Sequence, residues 1–159
     1  MNIESIKAYL IEEGFRPQLD EDGDISFKYE GKIYYVQTNE ADEEFVRILA
    51  ANIWPLDDVQ EKKAALRIAN KATRRFKVAK VFLNNTNNVC VAVELFLFDI
   101  QTFMALFYRS ISLLDETVLY FRTNMRKKMQ KLSRDQQEKQ HTPVMISTLE
   151  TEGDWELIN

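Results

Sequence analysis

Residues 13–36 read EGFRPQLDEDGDISFKYEGKIYYV. Gly14 is typical of a residue that ends a helix, here the amphipathic segment of residues 2–13. Asp22-Gly23 and Glu30-Gly31 are typical of turns. Each turn is followed by a run of residues with the character of a strand. The first run alternates polar and apolar residues, and the second is rich in β-branched and aromatic residues. The stretch therefore predicts a helix that leads into a two-stranded hairpin.

The predicted hairpin has a defined register and two different faces. A register that pairs Tyr29 with Lys32 places Phe27 opposite Tyr34, because the side-chain period of a strand is two. Tyr35 then points to the other face of the sheet. The alternation therefore predicts two different faces. The second face is an apolar patch for a ligand or client if no helix covers it, and burial under the first helix or in a dimer is the alternative.

The remaining chain predicts three more strands and two more helices. Strands are expected at residues 42–54, 78–83 and 89–96, and helices at about 58–77 and 100–140. The order α-β-β-β-α-β-β-α predicts an α+β domain, in which an antiparallel sheet of about five strands packs against helices on one face. The last helix is unusually long, since its segment contains neither Gly nor Pro.

This long helix carries a heptad-like apolar seam. Its apolar residues are Met104, Phe107, Ile111, Leu114, Val118, Phe121 and Met125. A helix of such length spans roughly 60 Å, which is wider than a small domain. We therefore expect it either to break beyond Leu119 or to leave the domain, which divides the chain into a domain of residues 1–119 and an extension with an acidic tail, residues 120–159. Phe121, Met125 and Met129 are then predicted to mediate self-association as a homodimer.

Composition restricts the class of protein. The chain has 159 residues and a net charge of −4, but residues 1–61 hold 15 acids and 5 bases, whereas residues 62–139 hold 6 acids and 16 bases. Such asymmetry favours self-association or a charged partner. The N-terminal residues lack the apolar core of a signal peptide, no run is long enough to span a membrane, and a single cysteine suits a reducing compartment. A cytoplasmic location is expected.

Residues that could carry chemistry do not form recognisable motifs. Asp20, Asp22 and Asp24 are clustered acids, but the Gly and Glu that a calcium loop needs at its sixth and twelfth positions are missing. Cys90 and His141 have no partner in sequence that suggests nucleophilic catalysis, and the four glycines are isolated, unlike those of a phosphate-binding loop. No metal, cofactor or catalytic residue is predicted.

A run of bases on the long helix has two interpretations. It comprises Arg122, Arg126, Lys127, Lys128, Lys131 and Arg134, with no acid between them. Phosphate contacts with nucleic acid are one interpretation, but aromatic residues for base stacking are absent, so nucleic acid is not the expected partner. The other is a docking surface for the acids of the tail, namely Glu150, Glu152, Asp154 and Glu156.

Four segments resemble the YbjN-like family of bacterial domains, which is similar to the type III secretion chaperone fold. They are residues 13–36, then ADEEFVRILAANIWPLD (residues 41–57), then KVAKVFL with NVCVAVELF (residues 77–83 and 88–96). The resemblance covers roughly residues 1–115. It implies a small non-enzymatic domain, in a family described as sensory transduction regulators without an established activity. Secretion chaperones of this fold are dimers that hold unfolded segments of client proteins.

The sequence thus favours a non-catalytic protein-binding domain, either chaperone-like or a regulatory adaptor. Tyr35, Trp54, Glu94 and Phe96 are the predicted client contacts. A small-ligand sensor with an apolar pocket is an alternative, and an enzyme with scattered carboxylates is a further one. An open groove favours the chaperone, and an enclosed apolar cavity favours the sensor.

Overall fold

The computed structural model describes residues 2–141, with side chains from Asn2 to Glu138. Within this range the chain forms three helices and six strands. The helices are α1 (Ile3–Glu12), α2 (Val59–Arg75) and α3 (Ile100–His141). The strands are β1 (Gln18–Leu19), β2 (Ile25–Tyr29), β3 (Lys32–Asn39), β4 (Asp42–Trp54), β5 (Ala79–Leu83) and β6 (Val89–Phe96).

All strand pairs are antiparallel, in the order β1-β2-β3-β4-β6-β5. The hairpin has the predicted register, with Tyr29 opposite Lys32 and Phe27 opposite Tyr34. The predicted α+β class is confirmed, but the sheet has a sixth strand. This strand, β1, has only two residues, which is too short to show a side-chain period in the sequence.

The three helices pack on one face of the sheet. Helix α3 crosses β4, β6 and β5, α2 lies over β5, and α1 packs against α3. Tyr9 of α1 meets Phe103 and Phe107 of α3 edge to face, with ring centroids 5.9 and 5.5 Å apart. Alternate residues of the strands, such as Val91, are buried beneath these helices and form one core.

Helix α3 does not break, and its second half belongs to the domain at least to Met125. Phe121 and Met125 are fully buried and lie in the same core as the sheet residues, and Met129 is partly buried against it. The expectation that the helix breaks beyond Leu119 or leaves the domain there is therefore wrong for the residues up to Met125. Helix α3 also runs continuously through the boundary predicted at residues 119/120.

The cover comes from α2, which runs antiparallel to α3. The C-terminal end of α2 lies near the middle of α3, where Phe76 meets the ring of Tyr120 at 5.5 Å. Its N-terminal end lies beside the distal turns, where Val59 shares a cleft with Met129. Beyond Met129, most of the described side chains of α3 are exposed. The predicted acidic tail lies outside the described residues.

The buried side chain of Tyr34 links the hairpin to α3 by a hydrogen bond. The Tyr34 hydroxyl donates a hydrogen bond to Asp115 Oδ1 at 2.5 Å, and the Lys32 ammonium contacts the same oxygen at 2.7 Å. Burial raises the pKa of Tyr34 well above its ordinary value, and the hydrogen bond to Asp115 raises the pKa further. The phenol is therefore held in its protonated form in the folded chain.

We expect Tyr34 to make the domain sensitive to alkali. An unfolded tyrosine ionises near pH 10, whereas folded Tyr34 keeps its proton to higher pH. The stabilisation from this raised pKa is complete below pH 10 and is lost as the pH rises toward the folded pKa, because the unfolded state then releases a proton that the folded state retains. Urea titrations at several pH values above 10 measure this effect. The free energy of unfolding should fall less steeply with rising pH in Tyr34→Phe than in the parent chain. Parallel curves would contradict this prediction.

Candidate functional site

The face of the sheet opposite the helices is the first candidate surface. We call it the open face. The registers of β2 to β6 place Tyr35, Leu49 and Ala92 in one row across it, and Phe45 opposite Phe96 in another. Ile33 and Phe96 are exposed, and Tyr35 is half-buried. The predicted client contacts Tyr35, Glu94 and Phe96 therefore share one face.

A polar row crosses the middle of the open face. Arg47 donates to Glu94 Oε1 from Nε at 3.0 Å and from a terminal nitrogen at 2.8 Å, and Lys80 reaches Glu94 Oε2 at 2.5 Å. Gln37 accepts from Arg47 at 3.3 Å and donates to Asp24. This row was not predicted from the sequence, because it depends on the spatial order β4-β6-β5.

The positive and negative charges of this row neutralise one another. Partial burial raises the pKa of the Glu94 carboxyl, but hydrogen bonds from Lys80 and Arg47 outweigh this effect and hold the pKa below its ordinary value. Glu94 is thus an anion held by two cations at neutral pH. A ligand on the open face would therefore meet a nearly neutral polar row.

Apolar side chains flank the polar row on both sides. Phe45 and Phe96 lie on one side with ring centroids 6.0 Å apart, and Phe96 is 69% exposed. Tyr35 and Leu49 lie on the other side. Along β4, Phe45 and Leu49 are separated by four residues, or about 13 Å. A large exposed aromatic next to further apolar surface is typical of a binding site for a partner.

Trp54 does not belong to the open face. It lies opposite Val89, which faces the helices, and it packs against the core. Its indole N–H donates to Glu61 Oε1 at 2.8 Å. Counting residues along β4 could not have shown this, because the register shifts between Ala50 and Trp54 and Ile53, of the opposite parity, is buried as well. The structure therefore separates Trp54 from the other three predicted contacts.

A groove on the helix side is the second candidate surface. We call it the α2–α3 groove. It lies where α2 ends, so that the next turns of α3 are uncovered on that side, and it has a volume of about 660 Å³. It is lined by Arg75, Phe76, Lys77, Val78, Leu95, Leu106, Arg109, Ser110, Ser112, Leu113 and Glu116. No sequence pattern indicated it, because its position depends on where one helix ends relative to another.

The comparison with protein families identifies the chain. Residues 3–116 match the family TY-Chap1, described as T3SS (YopN, CesT) and YbjN peptide-binding chaperone 1. The chain belongs to this family. The resemblance to YbjN-like domains seen in the sequence is therefore confirmed. The TY-Chap1 family is a family of peptide-binding chaperone domains, which points to proteins as partners.

Solved structures agree with the TY-Chap1 fold. The crystal structure of YbjN from E. coli is similar with a TM-score of 0.59 at 12% identity, and the match covers 77% of this chain and 92% of that one. An uncharacterized protein from Methanothermobacter thermautotrophicus gives a TM-score of 0.54 at 16% identity, covering 79% and 96%. No curated protein matches the chain. At these identities the likeness shows the fold alone.

The acidic cluster of the TY-Chap1 domain organises a turn. Asp20 Oδ1 accepts the backbone N–H groups of Asp22 at 3.1 Å and Asp24 at 2.9 Å. Among the side chains that the structure describes, no group of His, Cys, Asp or Glu could hold a metal ion. Cys90 is buried on β6, and the side chain of His141 lies outside the described range. Within residues 2–141, no helix has the length and apolar character needed to cross a membrane.

The basic run of α3 is only partly available to a partner. Arg122 donates from Nε to the carbonyl of Ile53 at 3.1 Å, so it anchors α3 to the end of β4. Arg126, Lys127, Lys131 and Arg134 are exposed. This surface offers positive charge, but no exposed aromatic side chain lies among these four residues on the helix.

Proposed function

We propose that this chain is a non-catalytic domain that binds an extended, apolar segment of a client protein on its open face, with Tyr35, Glu94 and Phe96 as contacts. The observation that carries the proposal is the aromatic pair of half-buried Phe45 and exposed Phe96, set beside a second apolar patch on an open sheet face of a peptide-binding family domain. A chaperone-like role fits this surface better than a regulatory adaptor that reads a folded partner, because two apolar patches spaced along one strand match the side chains of an extended segment.

The spacing of the patches suggests the chemistry of the client. In an extended peptide that runs along β4, residues four apart lie about 13 Å apart, as Phe45 and Leu49 do. The client would place an apolar side chain on each patch and a polar side chain between them, above Arg47 and Glu94. Glutamine, serine or threonine suits this position, because an unpaired charge would compete with the existing ion pairs.

The experiment is a panel of synthetic ten-residue peptides tested by fluorescence anisotropy. Each peptide has two leucines whose positions differ by two, three, four or five. Peptides with leucines four apart are expected to bind best. Phe96→Ser should weaken their binding by about tenfold or more, since an exposed aromatic at the centre of a contact commonly contributes over 1 kcal/mol.

Phe98 provides the matched control for this experiment. It is 81% exposed and lies just beyond β6, outside the sheet. Phe98→Ser removes the same ring and should leave peptide binding unchanged. Equal losses in Phe96→Ser and Phe98→Ser, or no loss in either, would contradict the open face as the client surface.

A small-ligand sensor is the second candidate, and the α2–α3 groove supports it. The groove volume of about 660 Å³ falls within the range of small-molecule sites, and most of its lining is apolar. The groove is open along one side, however, whereas sensor pockets usually enclose most of their ligand. The peptide-binding family therefore favours the chaperone-like function.

We further propose that the domain acts as a homodimer in the bacterial cytoplasm. One cysteine, buried on β6, permits no disulfide within the chain, which suits a reducing compartment. The similar structure of YbjN comes from a bacterium. Phe121 and Met125 are unavailable for dimerisation without unfolding, because the chain's own core covers them.

A further inference from the structure

The α2–α3 groove continues the line of α2 after that helix ends. Phe76 and Val78, which follow α2, form one end of the groove, and Leu106 and Leu113 of α3 form its side. From Leu106 to Glu116 the groove is about 15 Å long, which is the length of about five residues of extended chain. A short apolar segment would fill the space that α2 leaves.

The rim of the groove is mainly positive. It carries Arg75, Lys77 and Arg109, against the single acid Glu116. The Arg75 guanidinium lies over the rings of Phe76 and Tyr120, at 5.7 and 5.4 Å from their centroids, so its position is fixed. An occupant with apolar and acidic side chains on opposite sides would complement both the floor and the rim.

One segment of the chain has this pattern. Residues 149–158 read LETEGDWELI, with acids at 150, 152, 154 and 156 and apolar side chains at 149, 155, 157 and 158. In an extended chain successive side chains alternate, so the acids would lie on one side and Trp155 and Leu157 on the other. We propose that the α2–α3 groove binds about five residues of this segment, around Trp155 and Leu157, from a second copy of this chain.

The distance along α3 favours a second copy over the same chain. Leu113 lies about 42 Å from His141 along the helix axis. Trp155 is fourteen residues beyond His141, and fourteen residues span at most about 46–50 Å when fully extended. Docking within one chain would therefore require every intervening residue to be stretched past α2, at a large cost in conformational entropy. A second copy has no such constraint.

A nearer cleft beside the distal turns of α3 suits this segment less well. It is lined by Asp58, Val59, Gln60, Met129, Leu132, Ser133 and Gln136. Lys131 and Arg134 lie on the same turns of α3, but the lining itself contains an acid and no lysine or arginine, whereas three bases line the α2–α3 groove. The positive rim of the α2–α3 groove therefore decides between the two clefts.

The experiment follows the environment of Trp155 in the full chain. Trp54→Phe leaves Trp155 as the only tryptophan. Its emission should be blue-shifted and protected from acrylamide at high protein concentration, and this protection should be lost on dilution. Arg109→Glu should weaken the association on the order of tenfold. The matched control is Lys71→Glu, an equal charge change at an exposed position of α2 outside the groove.

A second readout avoids the substitution at Trp54. Light scattering on the parent chain should give a dimer, which an excess of a synthetic peptide of residues 147–159 converts to monomer. The same peptide with serine at the positions of Trp155 and Leu157 should have no effect. Phe96→Ser should leave both readouts unchanged, because it alters the open face and not the groove.

Each contrary result overturns the proposal. Protection that does not change on dilution would place the segment on its own chain. An exposed Trp155 at every concentration, or equal losses in Arg109→Glu and Lys71→Glu, would remove the groove as its binding site. Neither result would bear on client binding, which the Phe96→Ser and Phe98→Ser pair tests separately.

Discussion

Replacing Phe121 with alanine is expected to lower the free energy of unfolding by about 3–5 kcal/mol. Phe121 is fully buried in the core formed by the sheet and the helices, which includes Leu114 and Met125. Removal of its ring leaves a cavity, and the helices on either side are fixed along most of their length by other contacts. The surroundings should therefore relax only partly. Urea denaturation followed by circular dichroism measures the loss.

Leu119 is the control for Phe121. It lies two residues away on the same helix and is 66% exposed. Leu119→Ala should change stability by less than about 0.5 kcal/mol, as surface substitutions usually do. The loss in Phe121→Ala should also be the same at low and high protein concentration, because the chain itself covers this side chain. A loss that appears only at high concentration would restore the self-association role that the sequence suggested.

The sequence predicted those features of the fold that depend on local periodicity. The alternation in residues 24–38 gave the hairpin register, and the same argument placed Tyr35, Glu94 and Phe96 on one face, as the strand pairing has it. Trp54 lies apart from these three residues, beyond a register shift after Ala50 that counting along β4 does not reveal. Local patterns are sufficient where a side chain's face follows from counting residues along one strand.

Features that depend on how distant elements meet were not predictable in this way. A heptad-like seam shows that Phe121 and Met125 need cover, but it does not show which element provides the cover. Helix α2 covers them by running antiparallel to α3. The residue pattern of neither helix alone indicates this pairing. The row from Gln37 to Lys80 and the α2–α3 groove have the same origin, since both require the spatial order of strands and helices.

The second large effect is expected at Glu61, whose buried carboxylate links the end of β4, the loop before α2 and the first turn of α2. Glu61 Oε1 accepts the indole N–H of Trp54, and Oε2 accepts the backbone N–H of Asp57, each at 2.8 Å. The backbone N–H of Glu61 donates to Asp58 Oδ1 at 2.7 Å, which caps the start of α2. Glu61→Ala leaves two donors without an acceptor, and each such loss costs about 1–3 kcal/mol.

We therefore expect Glu61→Ala to destabilise the domain by about 2–4 kcal/mol and Glu61→Gln by less, because the amide keeps one acceptor oxygen but turns a donor toward the other N–H. Gln60→Ala, at the exposed neighbouring position, is the control and should cost little. The indole N–H resonance of Trp54 should shift most in Glu61→Ala, since its hydrogen-bond partner is then absent. Equal losses in all three variants would mean that the helix start, and not the carboxylate, determines stability here.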